Sequence, residues 1–184
     1  MVLPITAYGH PVLKKVGSEI NPDYPELSTL IANMWETMYY AKGVGLAAPQ
    51  VGLSIRLFVV DTVQLEKEDK VPGMKKVFIN PIITAENGKS VSYEEGCLSI
   101  PNIRGDVERL ESVTIQYMDE NFQSYTETYD GFNARVIQHE YDHIEGKLFV
   151  EKLNPLKKKL IAKKLENIRK GKVSADYRLK FFPV

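Results

Sequence analysis

The stretch His139-Glu140-Tyr141-Asp142-His143 constrains the fold of this chain more than any other. Residues four apart on a helix differ by about 40° of rotation, so His139 and His143 share one face and can hold one metal ion. Glu140 follows the first histidine, where its carboxylate can reach a water at that ion without binding the ion itself. The chain has only three histidines, and two of them stand at this spacing. Phe132, Val136, Ile137 and Ile144 give the same segment an apolar face. The spacing therefore predicts a helix over about Gly131 to Ile144, with an apolar companion face.

A catalytic site of this kind takes a third protein ligand and keeps one position open for water. The extended metalloprotease pattern would place a histidine six residues after His143, but that position is Phe149; only its glycine, Gly146, is present. A downstream glutamate serves in another protease class, and Glu166 is the candidate, although it stands among lysines on an expected surface helix. Cys97 is the third, because a thiolate suits a borderline-soft divalent ion. A lone cysteine is also commonly a small buried hydrophobe.

The rest of the chain bounds the architecture. Pro25 to Lys42 has apolar residues at Leu27, Leu30, Ile31, Met34 and Met38, which predicts an amphipathic helix ending near Gly43. Ile55 to Val60 and Val77 to Ile79 read as buried strands separated by the polar stretch Val63 to Lys75. Ile82 to Ala85 continues the sheet to Asn87-Gly88, read as a hairpin turn. Val91 to Glu95, Val107 to Met118 and Ser124 to Tyr129 follow as strands, with a turn at Asp119-Glu120-Asn121. Asn154-Pro155 opens a last helix, about 154–170, and a tail follows over 172–184. One domain over 1–184 is expected: α+β, mainly antiparallel sheets around the central metal-binding helix, with an N-terminal and a C-terminal helix.

Composition excludes several classes. With 43% hydrophobic and 26% charged residues the chain is not disordered, and no apolar run approaches the roughly 18 residues of a membrane helix. The first residues lack a signal-peptide segment or transit peptide, and the single cysteine allows no internal disulfide, so a cytoplasmic protein is expected. Net charge is zero, but residues 151–184 hold eleven basic and three acidic residues. A basic tail on an acidic body is either a solvated helix face or a surface for an anionic partner.

Three segments bear a family resemblance. Gly43-Val44-Gly45-Leu46-Ala47-Ala48-Pro49-Gln50, Glu94-Glu95-Gly96-Cys97-Leu98-Ser99 and Gln138-His139-Glu140-Tyr141-Asp142-His143 resemble the three signature motifs of peptide deformylases, in the family's order. The resemblance extends over essentially the whole chain. It implies Cys97, His139 and His143 as metal ligands and Glu140 as general base. It also implies Gln50, by its side-chain amide, and Leu98, by its backbone N–H, as oxyanion donors, with Gly45 beside the substrate. The natural ion it implies is Fe²⁺, with Zn²⁺, Ni²⁺ or Co²⁺ also fitting two histidines and a cysteine.

The implied reaction is hydrolysis of the N-formyl group of formyl-methionyl nascent peptides, releasing formate. A divalent ion lowers the pKa of bound water from 15.7 to about 7, and Glu140 can relay the proton to the leaving amine. The glycine-rich motif lacks the Gly-Lys-Ser/Thr ending of a phosphate loop, and its backbone is expected to pair with an extended peptide. Val44, Phe132 and Val136 are candidates for the methionine pocket, and Arg104 for the peptide backbone. Asp142 either pairs with a cation such as Arg109 or stands exposed, and His10 is expected to be a surface residue. Lys157, Lys158, Lys159, Lys163 and Lys164 suit a transient ribosomal RNA contact; no membrane or DNA partner is expected. Two other readings stand beside this one: a zincin-type endopeptidase using Glu166, and a ribosome-associated binding protein with a structural metal.

Overall fold

The structure, a computed structural model, describes residues 1–65 and 72–183. Part of the polar stretch between Val63 and Lys75, and the last residue of the tail, lie outside the described residues.

The expected N-terminal helix is α1, Leu27–Tyr40. Ile31, Met34 and Met38, spaced three and four apart, are its buried side chains. They meet Leu46, Leu57, Val59 and Ile79, whose strands present one apolar face to the helix.

The main sheet has five antiparallel strands in the order β2 (Gly45–Ala47), β3 (Leu57–Asp61), β4 (Lys75–Cys97), β5 (Ile100–Met118) and β6 (Ser124–Asp130). Along β5, burial alternates strictly from Pro101 to Arg109, so Ile103, Gly105, Val107 and Arg109 all face inward. The turn expected at Asp119-Glu120-Asn121 joins β5 to β6, its backbone held by the Asp119 carboxylate.

Asn87-Gly88 is not a hairpin. Asn87 pairs with Ser112 and Ser90 with Leu110, so β4 runs on with one extra residue, a bulge that Gly88 accommodates at φ +86°. The β4–β5 hairpin closes ten residues later, at Leu98 and Ser99, with Cys97 paired to Ile100. The turn thus falls inside the cysteine motif.

Helix α2, Gly131–Ile144, coincides with the segment expected from the histidine spacing. Ala134, Val136, Ile137 and Ile144 pack on Ala47, Phe58, Phe78 and Ile115 from the sheet. Each large side chain buried here contributes roughly 1.5–3 kcal/mol, which fixes α2 against β2 and β3. Helix α3, Pro155–Arg169, opens with Asn154 accepting from the Lys157 N–H at 2.8 Å. Only Ile161 and Ile168 of α3 are buried. The tail returns to the body: β7 (Leu179–Lys180) pairs in parallel with β1 (Ile5–Thr6), while Leu179 and Phe181 pack on the cluster around Leu148 and Phe149. His10 is half-buried rather than a free surface residue: its Nδ1 caps the Val12 N–H at 3.2 Å and its ring meets Phe182.

Candidate metal centre

Strand β4 delivers Cys97 and helix α2 delivers both histidines to one point. Their ligand atoms lie within 4.8 Å of one another, and the Cys97 Sγ is 3.3 Å from the His143 Nε2. The His139 Nδ1 lies 2.9 Å from the Glu95 carboxylate, which leaves its Nε2 for the centre. A sulfur and two imidazole nitrogens form the donor set of a tetrahedral site with one position to spare. The residues present therefore fit a divalent ion. Among the described residues no other group of three donors is this close.

Glu95 anchors a buried charge network behind the histidines. It accepts from Arg109 at 2.7 and 3.0 Å and from Arg135 at 2.8 Å, and Arg109 also donates to Asp142 at 2.8 Å. The expected Asp142–Arg109 pair is present. Glu95 was not anticipated as its centre, although its position two before Cys97 on a strand puts both on one face. Burial alone would raise the Glu95 carboxyl, but the bonds from His139 and Arg109 outweigh it and hold the group well below the carboxylate range. Arg135, also unanticipated, donates further to the carbonyls of Val107 and Val91. Two arginines balance two carboxylates, so the network supports the donors without adding net charge.

Glu140 is 4% exposed, and its Oε2 has no hydrogen-bond partner among the described residues. Burial pushes its carboxyl up to about 7, against an opposing pull from His139. Gly45 explains how a glutamate fits here: a Cβ at this position would stand 2.5 Å from the Glu140 Oε1. The glycine is thus needed by the carboxylate as much as by any ligand.

Gln50 has its amide oriented by the chain. Its Oε1 accepts from the Ala47 N–H at 3.0 Å, so the Nε2 is turned toward the Cys97 Sγ at 3.5 Å and the Ser99 Oγ at 3.2 Å. A donor therefore faces the centre. Gln50, Cys97, His139 and Glu140 open into a cleft of about 590 Å³. Val44, Gly45, Leu98, Arg104, Phe132 and Val136 all line it. Phe132 packs beside Tyr93 at 5.7 Å, while Arg104 lies at the exposed rim, its Nε donating to Glu94 at 2.8 Å. Tyr177 of the tail also lines the cleft, and no local sequence signal pointed to it.

Glu166 takes no part. It is on α3, paired with Arg169 at 2.8 Å and Lys170 at 3.1 Å, and the protease reading that needed it fails on position.

Comparison with known proteins agrees with this architecture. Residues 2–159 match the family model described as polypeptide deformylase. The chain is 56% identical over 189 residues to a peptide deformylase of Christiangramia forsetii, covering 98% of this chain and 96% of that one. A peptide deformylase of Flavobacterium psychrophilum is 55% identical over 191 residues, covering 100% of this chain and 98% of the relative. The crystal structure of the Thermus thermophilus peptide deformylase superposes with a TM-score of 0.82 at 39% identity, over 93% of this chain and 99% of that one. This chain belongs to the polypeptide deformylase family.

Proposed function

We propose that the cleft removes the formyl group from N-formyl-methionyl peptides, with Cys97, His139 and His143 as metal ligands and Glu140 as the proton-transfer group. Family membership already makes the chain a metallohydrolase acting on formylated peptides. The observation that carries the residue assignment is the buried, partnerless Glu140 Oε2 beside three converging donors. A divalent ion bound there supplies Lewis acidity and makes water a nucleophile near neutrality.

The chain's own groups do the rest. Glu140 accepts the proton of the attacking water and returns it to the leaving amine. Negative charge grows on the formyl oxygen as the carbon becomes tetrahedral. The Gln50 Nε2, held by the Ala47 bond, and the Leu98 N–H meet that charge; one such donor is typically worth about 3 kcal/mol. Val44, Phe132 and Val136 receive the methionine side chain, Gly45 lets the peptide backbone approach, and Arg104 meets the chain at the rim. Fe²⁺ is the natural ion in this reading.

The catalytic unit comprises the whole of 1–184, tail included, because the tail lines the cleft. The exposed lysines of α3 are the surface offered to ribosomal RNA, and the protein works in the cytoplasm. The structure carries no helix long and apolar enough to cross a membrane among the described residues.

The test is formate release from an N-formyl-methionyl tripeptide by protein loaded anaerobically with Fe²⁺. Turnover that vanishes in Glu140→Ala with metal retained, and is absent with the N-acetyl peptide, is the expected result. No formate from folded, metal-loaded protein would sink the reading.

A further inference from the structure

The tail crosses the rim of the cleft between fixed points. The Asn102 Nδ2 donates to the Ser174 carbonyl at 3.1 Å. Beyond it, the Ile5 N–H donates to the Arg178 carbonyl at 2.8 Å and the Ala7 N–H to the Lys180 carbonyl at 2.9 Å. Between these anchors the half-buried Tyr177 donates its hydroxyl to the Leu98 carbonyl at 2.7 Å.

That carbonyl belongs to the central peptide of the turn from Cys97 to Ile100. It stands across the Leu98 Cα from the Leu98 N–H, which belongs to the preceding Cys97–Leu98 peptide. The neighbouring residue is held as well, with the Ser99 carbonyl accepting from the Tyr8 N–H at 2.9 Å and the Ser99 Oγ from Gln50 at 3.2 Å. The turn that follows the cysteine is thus gripped by three remote segments, and only Tyr177 holds the Leu98 carbonyl among the described bonds. Leu98 is not a turn-forming type, and the Ser99 hydroxyl is taken up by Gln50, so these outside bonds help hold the conformation.

We propose that Tyr177 is a positioning residue for deformylation: by holding the Leu98 carbonyl it restrains the Leu98 backbone, and with it the Leu98 N–H, on the preceding Cys97–Leu98 peptide, that faces the developing oxyanion. It touches no reacting atom and acts through Leu98. The inference rests on the reading of the Leu98 N–H as an oxyanion donor. It also makes the C-terminal tail, which lies beyond the 2–159 match to the family model, part of the catalytic apparatus.

Tyr177→Phe removes the hydroxyl and keeps the ring. The expected result is a fall in kcat of about tenfold with KM changed by less than about twofold, the signature of a misdirected transition-state group. In zinc-loaded, ¹⁵N-labelled protein the amide signals of Leu98 and Ser99 should shift or broaden, with bound zinc and Tm unchanged. A wild-type kcat in Tyr177→Phe would overturn the proposal. So would a loss confined to KM or to metal content, or amide signals that do not move. Tyr177→Leu removes the ring too: if it alone loses activity, packing is the role and the hydroxyl is idle. Failure of the parent reading looks different, because wild-type protein would then release no formate at all.

Discussion

Glu95 and Glu166 are each paired with cationic side chains, yet their surroundings give them opposite weight. Glu95 has 4% of its side chain exposed and faces Arg109, Arg135 and His139. Glu166 has 41% exposed and faces Arg169 and Lys170, one turn along its own helix. Bonds to these partners hold both carboxyls down, Glu166 to about 2. An exposed pair is screened by water and adds little to stability. A buried pair has already lost its water, so deleting one partner strands the others. Burial, not the number of partners, decides which cluster matters to the fold and the centre.

The largest effect should come from Glu140, whose buried Oε2 has no hydrogen-bond partner among the described residues. Glu140→Gln keeps the shape of the buried side chain and removes the proposed proton acceptor, so formate release should fall by roughly 10²–10⁴ with metal content unchanged. A residual rate near wild type would show that another group carries the proton. Next comes Glu95→Gln, which leaves Arg109 and Arg135 buried without their carboxylate. It should lose about 3–5 kcal/mol in denaturant unfolding and bind metal roughly 10–100-fold more weakly in competition with a chelator. A loss under about 1 kcal/mol would erase the contrast with Glu166.

A case between the two sharpens the comparison. Glu127 is partly exposed and accepts from Lys76 at 2.7 Å, from Tyr117 at 2.8 Å and from Tyr129. Burial would raise its carboxyl, but the bonds from Lys76, Tyr129 and Tyr117 outweigh it and the net shift is downward. A carboxyl lowered by folding stabilises the native state above its unfolded value of about 4.5, and that contribution is lost as the pH falls. Wild type should therefore exceed Glu127→Gln in denaturant stability at pH 7, and the gap should close on acidification below about 4.5. A gap that stays constant with pH would show that the carboxylate charge is not what the site uses.

Where sequence reading succeeded and where it failed follows from the range of the interactions. Helix α2 was legible because its histidine spacing and apolar face both lie within fourteen residues. The start of α3 was legible for the same reason, since Asn154 caps a backbone N–H three residues on. Asn87-Gly88 misled because its local preference for a turn was overridden by the pairing of Asn87 with Ser112 and of Ser90 with Leu110, far along the chain. The real turn, at Leu98 and Ser99, has only serine as a turn-type residue, a weaker signal than Asn-Gly. Glu95 was within reach, as period-two alternation puts it on the Cys97 face, but nothing local named Arg135 as its partner. The Tyr177 bond spans 79 positions, and no pattern in the intervening residues marks it.

The smallest effects belong to α3, and they separate the basic surface from the chemistry. Leu156 and Leu160 are 68% and 67% exposed, and Lys158, Lys159, Lys163 and Lys164 stand on the same uncovered helix. None of these lysines lines the cleft. Replacing Lys158, Lys159 and Lys163 with glutamine should move stability by less than about 0.5 kcal/mol each and leave formate release from a tripeptide unchanged. Sedimentation with ribosomes should weaken instead, and its dependence on salt should become shallower, because each lost phosphate contact removes close to one unit from the slope. Glu166→Gln frees Arg169 and Lys170, adds positive charge to the same face and should shift binding the other way. If the lysine variants lose tripeptide activity, the helix is coupled to the centre and the division between buried and exposed charge breaks down. If ribosome binding ignores both charge changes and salt, the basic face is only solvated surface, and its charge serves neither fold nor function.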